Sequence, residues 1–205
     1  MINQMASYVV NIMKRNNTID EKEMDLYVFG MEVLLITSIK GIGLFIIAFA
    51  LGLLKEAIAF ILAFSMLRMQ AGGVHLESFW KCFIVTNIIT FFSIYLVIFL
   101  PINHTIIYQI IILAVSIILT ILYSPVDTPN KPLNEEETKL YKKRSLFVIL
   151  IGSVIIIILS LFSTSFIVYG NIASFGFLCE GITLTPLVAK KKIDDLGGEL
   201  NEREN

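Results

Sequence analysis

The sequence predicts an all-α integral membrane protein of about six transmembrane helices, preceded by an N-terminal amphipathic interfacial helix. Three observations lead there. Of 205 residues, 56% are hydrophobic and 16% charged, and the mean hydropathy of +0.80 is too apolar for a soluble domain. Several apolar runs approach the roughly 20 residues that cross a bilayer as helix. Runs such as Ile155-Ile156-Ile157-Ile158 do not alternate, as the strands of a membrane barrel must.

In residues 1–15, Ile2, Met5, Val9, Ile12 and Met13 share one helical face, and Lys14 and Arg15 close the segment. It is too short and polar to span, and two placements suit it: in the membrane interface, or packed on the protein's own cytoplasmic side. Thr18-Ile19-Asp20-Glu21 reads as a capping box that starts the next helix. That helix is expected to enter the membrane near Val33 and run to about Leu54, with a turn at Lys55-Glu56.

The apolar run Ala57–Leu67 is short, rising about 16 Å, roughly half the hydrocarbon thickness. To cross, it must draw Arg68 to Gly73 into the bilayer's inner half. Phe83–Leu100 and Thr105–Tyr123 read as further spans, ended by Pro101 and by Ser124-Pro125. A proline-bearing loop leads through Glu135-Glu136-Glu137 to Lys139, Lys142, Lys143 and Arg144. The last spans are expected at Ser145–Val168 and Ile172–Ala189, separated by Tyr169-Gly170-Asn171.

With six spans and the N-terminus inside, fourteen of the sixteen Lys and Arg residues fall on the cytoplasmic side. A re-entrant hairpin at Ala57–Gln70 would instead turn the basic loop outward, so the charge bias favours six spans with both termini inside. A net charge of −1 argues against a nucleic-acid partner. The two cysteines, Cys82 and Cys179, lie in or beside apolar spans and are expected reduced rather than bridged. No cleavable signal peptide is expected.

Between the second and third spans lies Arg68-Met69-Gln70-Ala71-Gly72-Gly73-Val74-His75-Leu76-Glu77-Ser78-Phe79-Trp80-Lys81-Cys82. Polar, glycine-broken backbone at membrane depth persists only where protein or a wet cavity satisfies it, which makes this stretch the candidate site. A Cys in an apolar span is ordinarily packing. Cys82, however, falls in the first turn of a helix that Ser78 can cap, beside Lys81, where positive potential suits an anionic sulfur. His75 can complete a Cys–His pair. On one straight helix the two groups would stand about 10 Å apart, so the pair requires a fold-back, which Gly72-Gly73 permits. Taken alone, His75 also fits a polar residue in a turn. Two Cys and two His do not build a convincing zinc site, so no metal or cofactor is expected.

Arg68, Gly73, His75 and Cys82, with Ser78-Phe79-Trp80 between, resemble the signature of the accessory gene regulator B family. Lys14-Arg15-Asn16-Asn17, Tyr123-Ser124-Pro125 through Lys131-Pro132-Leu133, and Glu180-Gly181-Ile182-Thr183-Leu184-Thr185-Pro186 resemble further family blocks, in order. Pro129-Asn130-Lys131 departs from the pattern in being less basic than the lysine run of some members.

The resemblance implies a membrane cysteine endopeptidase of peptide quorum sensing. Its substrate would be a membrane-associated propeptide with an acidic C-terminal tail, which it removes so that the peptide closes to a thiolactone or lactone. Cys82 would be the nucleophile and His75 the general acid/base, with Arg68 and Gly73 in support. It also implies a homodimer in the plasma membrane. The corresponding organisation is one peptidase domain over 1–192, with an interfacial helix at 1–17, the catalytic stretch 68–82 and a cytoplasmic loop at 124–144. A polar tail follows at 193–205.

Other roles stay open. Arg68 could bind the acidic tail or a substrate carbonyl oxygen, or simply be a basic residue at the end of a span. Lys139, Lys142, Lys143 and Arg144 could attract the tail, or only satisfy the positive-inside rule. Glu180 is expected to pair with Lys40 across the membrane interior, or alternatively to orient His75. Amides near Trp80–Cys82 are candidate oxyanion donors. The competing reading is a non-enzymatic transporter or scaffold with 68–82 as a glycine hinge, though a transporter should show internal repeats and none is evident.

Overall fold

A computed structural model describes residues 2–15, 24–73, 79–99, 105–126 and 133–186. The described residues form seven helices: α1 (Ile2–Arg15), α2 (Met24–Ala50), α3 (Leu54–Ala71), α4 (Phe79–Phe99), α5 (Ile106–Tyr123), α6 (Glu135–Phe162) and α7 (Thr164–Thr183). Five of them, α2 and α4 to α7, are long and apolar enough to cross a membrane. α3 has 18 residues but carries Lys55, Glu56 and Arg68. The protein is an all-α integral membrane protein. The predicted capping box at Thr18–Glu21, the proline turn at Pro101 and the tail lie outside the described residues.

The chain divides into two compact units, Met1–Leu54 and Lys55–Asn205. In the first, α1 packs along α2. Ala6 and Val10, one helical turn apart, are buried, while Met5, Tyr8 and Ile12 stay exposed on another face. α2 ends in a Schellman motif: Leu53 N–H donates to Ala48 O at 2.8 Å and Gly52 N–H to Phe49 O at 3.0 Å. Gly52 takes the left-handed conformation this requires, at φ +70°. The turn therefore falls at Leu51–Leu53, and the expected turn at Lys55-Glu56 lies instead inside the first turn of α3.

The second unit is a bundle of α3 to α7 packed through small residues. A Cβ on Gly176 of α7 would lie 2.6 Å from Phe60 O and 3.2 Å from Ala63 Cβ, so the glycine sets the contact with α3. Around this contact, Ala63, Leu67 and Ala71 of α3 meet Leu113 of α5, Ile149 of α6, Ala173 and Phe177 of α7, and Leu184. Four buried hydroxyls settle within their own helices: Ser116 donates to Ile112 O, Thr120 to Ser116 O, Ser145 to Tyr141 O and Ser174 to Gly170 O. Such back-bonding lets polar side chains face a membrane bundle without unmet donors.

α6 begins with a capping box that the sequence reading did not identify. The Asn134 side chain accepts from Glu137 N–H at 2.8 Å, and the Glu137 carboxylate accepts from Asn134 N–H at 3.1 Å. The break between α6 and α7 also differs from expectation. It falls at Ser163, extended at φ −160°, whose hydroxyl accepts from Ser165 N–H. Tyr169-Gly170-Asn171 lies inside α7, where Gly170 is buried: a Cβ there would lie 2.5 Å from Ser160 Oγ and 2.8 Å from Gln109 Nε2. The glycine is a point of close helix approach, not a turn.

Candidate functional site

α3 and α7 run side by side in the same direction, so the close approach at Gly176 carries forward to their C-terminal ends. One turn beyond Gly176, Glu180 meets Arg68. Arg68 Nη1 donates to Glu180 Oε2 at 3.0 Å and to Thr183 Oγ1 at 3.5 Å. Its guanidinium lies over the ring of Phe64, one turn back on α3, 5.6 Å from the centroid. Glu180 is fully buried, and Arg68 keeps 22% of its side chain exposed. An ion-pair partner of Glu180 is thus Arg68, a pairing the sequence reading did not name. Because α7 ends at Thr183 and not near Ala189, Glu180 sits in the last turn of its helix.

The chain leaving α3 is pinned directly over this pair. Ala71 O accepts from Val126 N–H at 2.9 Å. Gly72, at φ +78°, pairs with Val126, and a Cβ on it would lie 2.8 Å from Val126 O. Gly73, at φ +127°, is buried against the ion pair. A Cβ on Gly73 would stand 2.9 Å from Arg68 Nη1, 3.1 Å from Glu180 Oε1 and 3.2 Å from Thr183 Oγ1. Both glycines are required twice over, by backbone angle and by space. The result is a knot of three chain segments: the ends of α3 and α7, and Ser124-Pro125-Val126 after α5.

Cys82 lies in the first turn of α4, as the sequence predicts, and is partly buried. α4 packs on α7, where Ser93 Oγ and Cys179 Sγ stand 3.5 Å apart. Ser93 is eleven residues beyond Cys82, which places Cys82 about 16 Å along α4 from the level of Cys179. Arg68, Gly73, Glu180 and Thr183 therefore form one cluster, and the thiol is not part of it. His75 and Ser78 lie outside the described residues.

Lys139, Lys142, Lys143 and Arg144 all fall in the first three turns of α6. Lys143 and Arg144 line a cavity of about 420 Å³ together with Gln70, two residues beyond Arg68. A second cavity, about 540 Å³, opens at the other end of the bundle between Thr105 and Ser160–Thr164, and no candidate residue lines it. Among the described residues, no three His, Cys, Asp or Glu side chains come together to hold a metal ion.

Residues 6–184 match the family model for Accessory gene regulator B. The chain belongs to the accessory gene regulator B family. Relatives named accessory gene regulator protein B occur in Staphylococcus aureus. The MRSA252 protein is 30% identical over 199 residues, the MW2 protein 30% over 195, and the bovine RF122 / ET3-1 protein 28% over 191. In each case the match covers 93% of this chain and 96% of the relative. No solved structure matches. In this member of the accessory gene regulator B family, the residues missed by sequence reasoning are Thr183 and Val126. Thr183 stands three residues after Glu180, the spacing that puts both on one helix face, and that was the available signal.

Proposed function

We propose that this chain is a membrane-embedded cysteine endopeptidase of peptide quorum sensing, working at the cytoplasmic face of the cell membrane. It removes the acidic C-terminal tail of a propeptide. What supports this reading most is the position of Cys82. It sits in the first turn of α4, beside Lys81, at the helix end where the unpaired backbone amides point. Family membership and the basic turns of α6 point the same way.

In this reading the Cys82 thiolate attacks the scissile carbonyl carbon, and the C–N bond breaks as protonated His75 gives its proton to the leaving amine. The N-terminal fragment remains as a thioester on Cys82. The fragment's own Cys then loses its proton to His75 and attacks the thioester carbonyl. Cys82 departs as thiolate and a thiolactone ring closes. One thioester replaces another, so the exchange is near balance while hydrolysis runs downhill. Exclusion of water and the high effective concentration of a tethered thiol both favour the ring.

Arg68 and Glu180 serve this chemistry as positioning residues. They fix where the chain leaves Gly73 toward His75 and Cys82, and Glu180 already engages Nη1 of the Arg68 guanidinium. The positive turns of α6, Lys139, Lys142, Lys143 and Arg144, draw the acidic tail toward the site. The test is co-expression with the cognate propeptide and mass spectrometry for an acyl adduct on Cys82. Adduct on the wild type and loss of cleavage in Cys82→Ser are expected, with membrane insertion unchanged. Cleavage retained by Cys82→Ser removes the endopeptidase reading.

A further inference from the structure

The groove beside Gln70 has features that tail attraction does not use. Leu140, Lys143, Arg144, Phe147 and Val148 line it from α6, at the i, i+3, i+4, i+7 and i+8 spacing of one helix face. The other face, with Ser145, Ile149 and Ser153, is the buried one. The groove therefore opens sideways, and Leu140 and Phe147 remain 46% and 64% exposed.

Charge and apolar surface follow one another along the helix. Lys143 and Arg144 are the last charges before the eighteen uncharged residues Ser145–Phe162. At about 1.5 Å per residue those eighteen span about 27 Å, close to the hydrocarbon thickness. The two cations thus stand at the polar border of the bilayer, with Phe147 and Val148 one turn deeper. Arg144 is held in place over the Tyr141 ring, 6.0 Å from its centroid. On the α3 side, Gln70 lines the same groove and brings a carboxamide to it.

A ligand that fits carries an anion at one end, hydrocarbon at the other, and a hydrogen-bonding group beside the anion. We propose that this groove binds an anionic glycerophospholipid whose headgroup bears a hydroxyl, phosphatidylglycerol being the simplest. Its phosphate lies between Lys143 and Arg144, its headgroup hydroxyl hydrogen-bonds the accessible part of the Gln70 carboxamide, and an acyl chain follows Phe147 and Val148. An acidic peptide would satisfy the cations, but in a groove open to hydrocarbon its backbone amides would be stranded.

Native mass spectrometry of the full chain, released from nanodiscs of phosphatidylcholine with added phosphatidylglycerol, tests this directly. One phosphatidylglycerol is expected to stay bound through delipidation. Lys143→Gln/Arg144→Gln should weaken its retention roughly fivefold for each cation removed. Lys139→Gln/Lys142→Gln removes equal charge away from the groove and should leave retention unchanged. Gln70→Leu should abolish the preference for phosphatidylglycerol over phosphatidylmethanol, which has the same anion and no headgroup hydroxyl. Equal losses in the two double variants would reduce the effect to bulk charge and overturn the site. So would displacement of the lipid by a soluble acidic peptide, which would make the groove a peptide site.

Discussion

Arg68 Nη1 and Glu180 Oε2 meet at 3.0 Å, joining the last turns of α3 and α7 at a point where the carboxylate has no exposed surface. Removing one partner of such a pair leaves a buried charge uncompensated, at a cost of about 3–5 kcal/mol, whereas replacing both with apolar residues can be neutral. Glu180→Ala is therefore expected to lower the unfolding temperature of the purified protein sharply. Arg68→Met/Glu180→Leu should recover most of that stability, yet still process propeptide poorly, because the guanidinium no longer braces Gly73. Thermal unfolding in detergent and a cleavage assay on the same samples read the two effects apart. If the double variant regains full cleavage, the pair has no positioning role.

The glycines after α3 predict a graded pair of defects. At Gly73 a new Cβ would press on Arg68 Nη1 and Glu180 Oε1, side-chain atoms that can shift. At Gly72 it would press on the Val126 carbonyl, which is backbone. Both positions also require positive φ, a strain of about 1–3 kcal/mol for alanine. Gly73→Ala should reach the membrane at normal levels and lose cleavage. Gly72→Ala should in addition loosen the contact at Val126, seen as faster amide exchange at Val126, whose N–H is held by Ala71 O.

How much of this was legible depended on whether a residue's local meaning survived packing. α5 was found within a residue of each end, because Thr105 and Ser124-Pro125 flank an unbroken apolar run. Cys82 was placed correctly in the first turn of α4 for the same local reason. The α6–α7 break was misplaced because Tyr169-Gly170-Asn171 has turn composition, while the real break, Ser163-Thr164-Ser165, is a slight polar notch in an apolar run. Glycine inside a membrane helix is offset by close approach of neighbours, here Gln109 and Ser160, and no single sequence shows those neighbours. Arg68 was not legible as a Glu180 partner for the same reason: depth counted from Ala189 put the carboxylate well inside its span, whereas counted from Thr183 it sits in the last turn, at the end of α3.

Two other glycines separate backbone from side-chain crowding. A Cβ on Gly176 would meet Phe60 O at 2.6 Å, while a Cβ on Gly152 would meet the edge of the Phe177 ring at 2.6 Å. The ring can rotate or slide and the α3 carbonyl cannot. Gly176→Ala is expected to destabilise by about 1–3 kcal/mol, and Gly152→Ala by clearly less. Because Gly176 lies one turn before Glu180, its substitution should also weaken cleavage, whereas Gly152→Ala should leave it intact. Equal unfolding midpoints for the two variants would contradict the assignment of Gly176 as the contact that sets α3 against α7.

The two cysteines should behave oppositely. Cys179 faces Ser93 across the α4–α7 contact at 3.5 Å, and it is a packing residue there, with a small polar neighbour that tolerates an equally small hydroxyl. Cys179→Ser should retain cleavage and change stability by less than about 1 kcal/mol, since a hydrogen bond of this type contributes about that much. Cys82→Ser, a change of similar size some 16 Å along α4 from that level, should leave stability alone and abolish the acyl adduct. Labelling with a thiol-specific reagent before propeptide is added gives an independent reading. Modification should block processing in Cys179→Ser, where Cys82 is the sole remaining thiol. Processing that survives complete labelling of that variant would show that the sulfur of Cys82 takes no part in the reaction.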